Sequence, residues 1–211
     1  LIEKYINREV TVTELISLTA LIEREYRLRG YITTISYLPL QRIDAGMVII
    51  EVLEGHLGEL TINGNRYFPK RRYNWYWSLK KGDVIRYSDM RKSLSYINQH
   101  PDKNALALLR PGKKTGETDI TLNVTDHLPL HVGFSVDKQG TKPIGLARYG
   151  VTTRHNNLMG IDDQLALGAT FGRRFGAGSL QYIVPVTPFG TKLTGAFSFS
   201  QVSPKRQFKP F

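Results

Sequence analysis

Between residues 120 and 200 the chain alternates apolar and polar positions, interrupted at regular intervals by glycine-rich or charged turns. Leu130, Val132, Phe134 and Val136 alternate with His131, Gly133, Ser135 and Asp137. The same rhythm returns in Leu165, Leu167, Ala169 and Phe171, in Leu180, Tyr182, Val184 and Val186, and in Leu193, Gly195, Phe197 and Phe199. A period of two puts each apolar set on one face of a strand. The intervening positions are mostly Gly, Ser, Thr, Gln and Arg. An apolar outer face backed by a wet inner one is the pattern of a transmembrane β-barrel. No hydrophobic run is long enough for a membrane-spanning helix.

The pattern before residue 120 is different. Thr11-Val12-Thr13-Glu14 can form a capping box, and Leu15, Leu18, Ile22 and Tyr26 follow at helical spacing until Gly30 supplies a left-handed stop. An extended stretch from Tyr31 to Leu38 is expected next, then a turn at Asp44-Ala45-Gly46. A second strand then carries Val48, Ile50 and Val52 on one side. Leu57–Ile62 opens a further unit as a strand turning at Asn63-Gly64-Asn65. Pro69–Leu79 is expected to be helical, and Ser88 can cap another helix with Met90, Leu94 and Ile97 on its apolar face. Strands at Ala105–Arg110 and Thr118–Thr125 finish the unit, joined by a turn at Pro111–Gly116. The second unit therefore reads β-α-α-β-β. The first repeats that pattern with its opening strand missing or reduced to residues 1–10.

Composition adds little to this until the charge is divided. The net charge is +11, with 19 Lys and Arg against 15 Asp and Glu in residues 1–127, and 10 against 3 in residues 128–211. The excess thus sits mostly in the strand ladder. Arg148 and Arg154 share a face with Gly150 and Thr152, opposite Tyr149 and Val151, so they are expected to face a pore. On the lipid face they would be costly. The alternative is a solvated face of a soluble sheet. The absence of cysteine permits an oxidising compartment without requiring it. Leu1-Ile2-Glu3-Lys4 has no signal-peptide features, and the chain ends within a loop-like stretch, so a fragment is expected.

Gly30-Tyr31, Leu38-Pro39-Leu40-Gln41, Gly46 and the run Val48-x-Ile50-x-Val52-x-Glu54-Gly55 resemble the first polypeptide-transport-associated (POTRA) domain of two-partner-secretion transporters. Leu109-Arg110-Pro111-Gly112, Gly116 and the Ile120/Leu122/Val124 strand resemble the end of that family's second POTRA domain. Ser135–Gly140 is similar to its first barrel hairpin, with Lys138 where the family usually has Asn. Asn156-Asn157-Leu158, Gly160 and Asp162-Asp163 match the next turn, and Tyr182-x-Val184-Pro185 the fourth strand. The resemblance implies α+β POTRA domains (β-α-α-β-β) followed by the opening antiparallel strands of a transmembrane β-barrel. Its boundaries would be 1–55 for a first, incomplete POTRA domain, 56–126 for a second and 127–211 for the first four to five strands.

It further implies a bacterial outer-membrane protein with periplasmic POTRA domains. Its partners would be outer-membrane lipid and a secreted exoprotein of the adhesin or haemolysin type bearing an N-terminal secretion domain. No cofactor, metal or nucleic acid is implied. Two alternatives stay open: a barrel-assembly factor of the same superfamily, and a soluble basic nucleic-acid-binding protein.

An unfolded substrate can bind by adding a strand to an exposed sheet edge. The candidate edges are Tyr31–Leu38, with Tyr31, Ile35 and Tyr37, and Ala105–Arg110, with Leu106, Leu108 and Arg110; each is expected to lie beside a helix that would supply a groove. Half of each strand must also pack the core, so the same residues could be purely structural. Arg66, Lys70, Arg71 and Arg72, interleaved with Tyr67, Phe68, Tyr73 and Trp75, carry the nucleic-acid alternative. Catalytic patterns fail. The five histidines lack metal spacing, Gly140 and Gly145 have P-loop spacing without its Lys and Ser/Thr, and Asp162-Asp163 reads as a turn. No enzyme is expected.

Overall fold

The computed structural model describes residues 2–43, 46–142 and 144–203. Asp44 and Ala45 of the expected turn, and residues 205–211, lie outside them. The chain divides into two compact units. One comprises Leu1–Gly64, Trp77–Ile97 and Ala105–Val124; the other comprises Asn65–Tyr76, Asn98–Asn104 and Thr125–Phe211.

In the first unit, residues 2–10 contain a single 3-10 turn at Glu3–Tyr5 and no strand. Helix α1 spans Val12–Leu28. Thr11 Oγ1 accepts the Glu14 N–H, and the Glu14 carboxylate accepts the Thr11 N–H, which closes the expected capping box. The helix buries Leu15, Leu18 and Thr19. Two short strands follow, β1 at Ile35–Tyr37 and β2 at Glu51–Leu53, antiparallel with Ile35 opposite Leu53.

Both strands are shorter than their apolar patterns predict, for local reasons. The Thr34 N–H turns back to the Tyr31 carbonyl, so the chain is still in a turn where a strand was expected. At the other end, the Gln41 amide takes the place of a neighbouring strand. It donates to the Ile49 carbonyl and accepts the Ile49 N–H, both at 2.7 Å. That pairing gives the Gln of Leu-Pro-Leu-Gln a physical role, and the ladder begins only at Glu51.

A three-stranded sheet follows, built from β3 (His56–Asn63), β4 (Lys103–Pro111) and β5 (Glu117–Asp126) in the order β3-β5-β4, with β3 and β5 parallel. Leu57 and Ile62 of β3 and Ile120, Leu122 and Val124 of β5 are buried. Helix α3 (Tyr87–Asn98) buries Met90, Ser93 and Ile97. Gly64 turns the chain out of β3 at φ +86°, where a Cβ would strike the Val124 carbonyl oxygen, so only glycine fits.

The helix expected over Pro69–Leu79 is reduced to α2, Lys70–Tyr76. Beyond it the Ser78 N–H donates to Ser93 Oγ at 3.1 Å instead of to its own helix. The extended chain buries Trp77 and Leu79.

The second unit carries a meander of β6 (Leu130–Asp137), β7 (Arg148–His155), β8 (Gln164–Gly172), β9 (Phe175–Pro185) and β10 (Lys192–Val202), each antiparallel to the next. The register assembles the sequence alternation into rows. Phe134, Val151, Ala169, Gly178 and Phe199 stand side by side on one face. Gly133, Thr152, Gly168, Ser179 and Ser198 form a row on the other. Phe134 is 80 % exposed, and Phe197 and Phe199 are also exposed. A soluble protein does not leave a continuous apolar face uncovered, whereas a barrel wall turns it to lipid.

Candidate functional site

The second unit contains a buried charged cluster that joins α2 to the turn between β7 and β8. Asp162 lies in that turn at φ +61°, a left-handed conformation that Asp adopts more readily than most residues. One of its carboxylate oxygens accepts from Arg72 Nε of α2 at 3.1 Å and from Lys103 Nζ, at the start of β4, at 2.6 Å. The Lys103 side chain is fully buried. Its ammonium is enclosed by the rings of Phe68, Tyr73 and Tyr76, with centroids at 4.9, 5.3 and 5.1 Å. Arg72 stacks on Trp75 at 3.7 Å. Desolvation pushes the Lys103 pKa down, and Asp162 pulls against it. Burial raises the phenol pKa values of Tyr73 and Tyr76, and nearby carboxylates add to this.

Further contacts extend the cluster on both sides. Asp126 gathers the backbone N–H groups of Arg66, Tyr67 and Phe68 together with the Tyr73 hydroxyl. Asp102 accepts from Asn156 Nδ2 at 2.7 Å and lies 2.8 Å from His131 Nε2. His100 Nδ1 accepts the Asp102 N–H, so its proton sits on Nε2 and is donated to the Asn156 carbonyl at 2.9 Å. Both ring nitrogens are occupied in the neutral tautomer. Burial, helped by Lys103, lowers the His100 pKa. Asp163 accepts the Met159 N–H and the Tyr182 hydroxyl, which ties the same turn to β9.

This arrangement bears on two features of the sequence. Asp162-Asp163 is a turn, as expected, but both carboxylates are buried: Asp162 holds the turn to α2 and Asp163 holds it to β9. In the aromatic and basic stretch 66–75, Phe68, Arg72 and Tyr73 are buried and committed to the cluster, while Arg66, Lys70 and Arg71 stay exposed, so most of the rings that would stack on bases serve the fold instead.

The expected substrate edges fare unequally. Tyr31 is half-buried, edge-on to Tyr26 with the Arg86 guanidinium over its ring. Tyr37 bonds through its hydroxyl to Glu51 across the strand pair. Ile35 is exposed, but the Ser36 N–H beside it donates to Glu23 of α1 at 2.8 Å, which occupies part of the free edge of β1.

In the three-stranded sheet, β3 is covered by the segment around residues 80–85. The Leu57 N–H donates to the Asp83 carbonyl, and the Ile85 N–H to the Gly55 carbonyl. The other end of the strand order is β4. There Leu106 (65 % exposed), Leu108 (43 %) and Arg110 lie on the solvent face, with Ala105 buried opposite. The expected groove beside a helix is therefore not where Leu106 and Leu108 point. A separate groove in this unit is lined by Ile35, Leu53, Leu109, Arg110, Lys113 and Lys114, and it brings Ile35 and Arg110 together.

Arg148 and Arg154 both project from the polar face of β7. Arg148 is held by Asp137 at 2.9 and 3.2 Å and by Gln139. Arg154 stands opposite His131 and lines a groove on that face with Asn156 and Gln181.

Residues 1–55 match the model of the ShlB-type POTRA domain, and residues 116–201 match that of the haemolysin secretion/activation protein ShlB/FhaC/HecB. The chain belongs to the two-partner-secretion outer-membrane transporter family. Among curated relatives, it is 31% identical over 171 residues to the heme/hemopexin transporter protein HuxB of Haemophilus influenzae, a match covering 79% of this chain and 30% of the relative. It is 27% identical over 171 residues to the outer membrane transporter CdiB of Dickeya dadantii, covering 81% and 30%. The chain thus spans about a third of these proteins' length.

In fold it is similar to CdiB from Escherichia coli, with TM-score 0.75 at 22% identity, covering 94% of this chain and 38% of that one. It is also similar to BamA from Haemophilus ducreyi lacking POTRA domains 1-3, with TM-score 0.60 at 16% identity, covering 92% and 38%. Proteins of this family are outer-membrane transporters with periplasmic POTRA domains.

Proposed function

We propose that this chain serves the export of an unfolded exoprotein across the outer membrane. In this reading residues 1–55 and 56–126 act as two periplasmic POTRA domains and residues 127–211 open the conducting barrel. The observation that carries it is strand β4, which ends the strand order of its sheet and presents Leu106 and Leu108 to solvent. A strand added there gains backbone hydrogen bonds without strict sequence, and alternate apolar side chains find Leu106 and Leu108. Ile35 and Arg110 meet in the neighbouring groove and extend the binding track, with Lys113 and Lys114 favouring acidic segments. Tyr31 and Tyr37 act as supports. Arg154, and Arg148 through its pair with Asp137, give the conducting face a basic lining. The chain is a transporter segment and carries no catalytic chemistry of its own.

The test is a titration of the chain with the N-terminal secretion domain of an exoprotein encoded beside it, run in parallel with an unfolded outer-membrane barrel segment. Saturable binding of the secretion domain alone, abolished by L106D/L108D and kept by Y31F, is the expected result. Preference for the barrel segment would assign the chain to barrel assembly instead.

A further inference from the structure

The two ends of the β6–β10 sheet carry opposite chemistry. With residues 1–126 in the periplasm, as proposed above, the chain enters β6 at Leu130 from that side, which makes the Leu130, His155 and Lys192 ends of the strands the periplasmic ones. The Asp137, Arg148 and Phe175 ends lie on the far side. At that far end, residues 137–148 and 172–175 contain Lys138, Lys142, Arg148, Arg173 and Arg174 against one carboxylate, Asp137. Asp137 is taken by Arg148. The other four cations have no carboxylate partner among the described residues.

The segment that carries them is anchored. The Arg174 N–H donates to the Ile144 carbonyl at 3.0 Å, and the Gly140 N–H to the Leu146 carbonyl at 3.0 Å. Gly145, at φ +104°, lies so close to the hairpin that a Cβ would come within 2.9 Å of Arg173 Cβ. The result is a groove lined by Lys142, Gly145, Leu146, Tyr149, Phe171 and Arg173. Tyr149 and Phe171 are cross-strand partners on the apolar face and are 56 % and 55 % exposed.

Two cations above two outward-facing aromatic rings match an amphiphile with a phosphorylated head and acyl chains. Arginine and lysine beside a low-dielectric surface favour phosphate, and the rings offer contact for hydrocarbon. We propose that this groove binds the phosphates of an outer-leaflet glycolipid of the lipid A class. The inference rests on the outer-membrane placement of the sheet. A secretion substrate is not the occupant, because the groove opens on the apolar face and not on the polar one.

Native mass spectrometry of the full chain in mild detergent tests this with three probes: hexa-acyl lipid A bisphosphate, its dephosphorylated form, and inorganic phosphate. The bisphosphate lipid is expected to be retained about tenfold more strongly than the dephosphorylated one. K142E/R173E should remove that preference, while K192E, at the opposite end, keeps it. Both altered residues are exposed, so the β-sheet circular dichroism signal is expected to persist and serves as the folding control. Equal retention of the two lipids, or an undiminished preference in K142E/R173E, overturns the proposal. Displacement of the lipid by inorganic phosphate at matched concentration overturns the lipid assignment. Lipid retention is read without any exoprotein present, so failure here leaves the export reading standing, and failure of export leaves this one.

Discussion

Replacing Asp162 by Asn removes the only carboxylate that bonds directly to both Arg72 and Lys103 among the described residues. Asn keeps the size of the side chain and tolerates the φ of +61°, so the backbone is not the cause of any loss. What remains is two cations with 9% and 0% side-chain exposure and no direct counter-charge. Removing one partner from such a buried pair costs roughly 3–5 kcal/mol.

Lys103→Met should behave differently. Met fits a cage of Phe68, Tyr73 and Tyr76, and Asp162 retains Arg72, so the cost is about 1 kcal/mol or less. The decisive comparison is D162N/K103M. If the penalty of D162N is uncompensated charge, the double variant recovers part of it, with a coupling of about 1–3 kcal/mol. Urea denaturation of the four proteins in detergent micelles, followed by Trp fluorescence, reads these values. A D162N variant within about 1 kcal/mol of the parent, or strict additivity in the double variant, would refute the account, because the cluster would then be ordinary packing.

Three further outcomes follow from the same geometry. His100 is held neutral, with its folded pKa below the ordinary 6.5. Below the unfolded pKa the unfolded chain binds a proton that the folded chain does not, so this group's contribution is full above pH 6.5 and declines as pH falls toward the lowered folded value. H100Q, which can still donate to the Asn156 carbonyl, should flatten the part of the pH 5–7 stability profile due to this residue; parallel profiles for parent and variant would exclude it. On the membrane sheet, F134R should lower stability in lipid vesicles by about 2–4 kcal/mol, whereas T152R on the polar face should stay within about 0.5 kcal/mol. A reversed order would mean that the faces have been assigned the wrong way round. At the candidate substrate edges, I35D should weaken secretion-domain binding less than L106D, since Glu23 already occupies part of the β1 edge; the reverse ranking would move the capture site to β1.

What the sequence discloses here depends on the range of the forces involved. The strand meander is legible because its cause, one apolar face and one wet face, recurs every second residue, and the register only lines those faces up. The capping box at Thr11–Glu14 is legible because both partners lie within one turn. The shortened β1 and β2 are not, because their limits are set by the Gln41 side chain reaching Ile49, a contact that apolar periodicity does not encode.

The cluster around Asp162 was hidden for a stronger version of the same reason. Arg72, Lys103 and Asp162 come from three separate segments, and each has an ordinary local reading: a basic patch, a strand start and a turn. One signal was available. A turn holding Asn156, Asn157, Asp162 and Asp163 next to an apolar strand concentrates hydrogen-bonding side chains beyond what a solvated loop requires, and the aromatics at 67–76 lack a strand or long helix in which to pack. Each anomaly supplies what the other lacks, since the rings enclose a cation and the turn supplies its counter-charge. In a chain whose barrel strands have an apolar outer face and few large side chains within, this buried charge holds the first hairpins to α2.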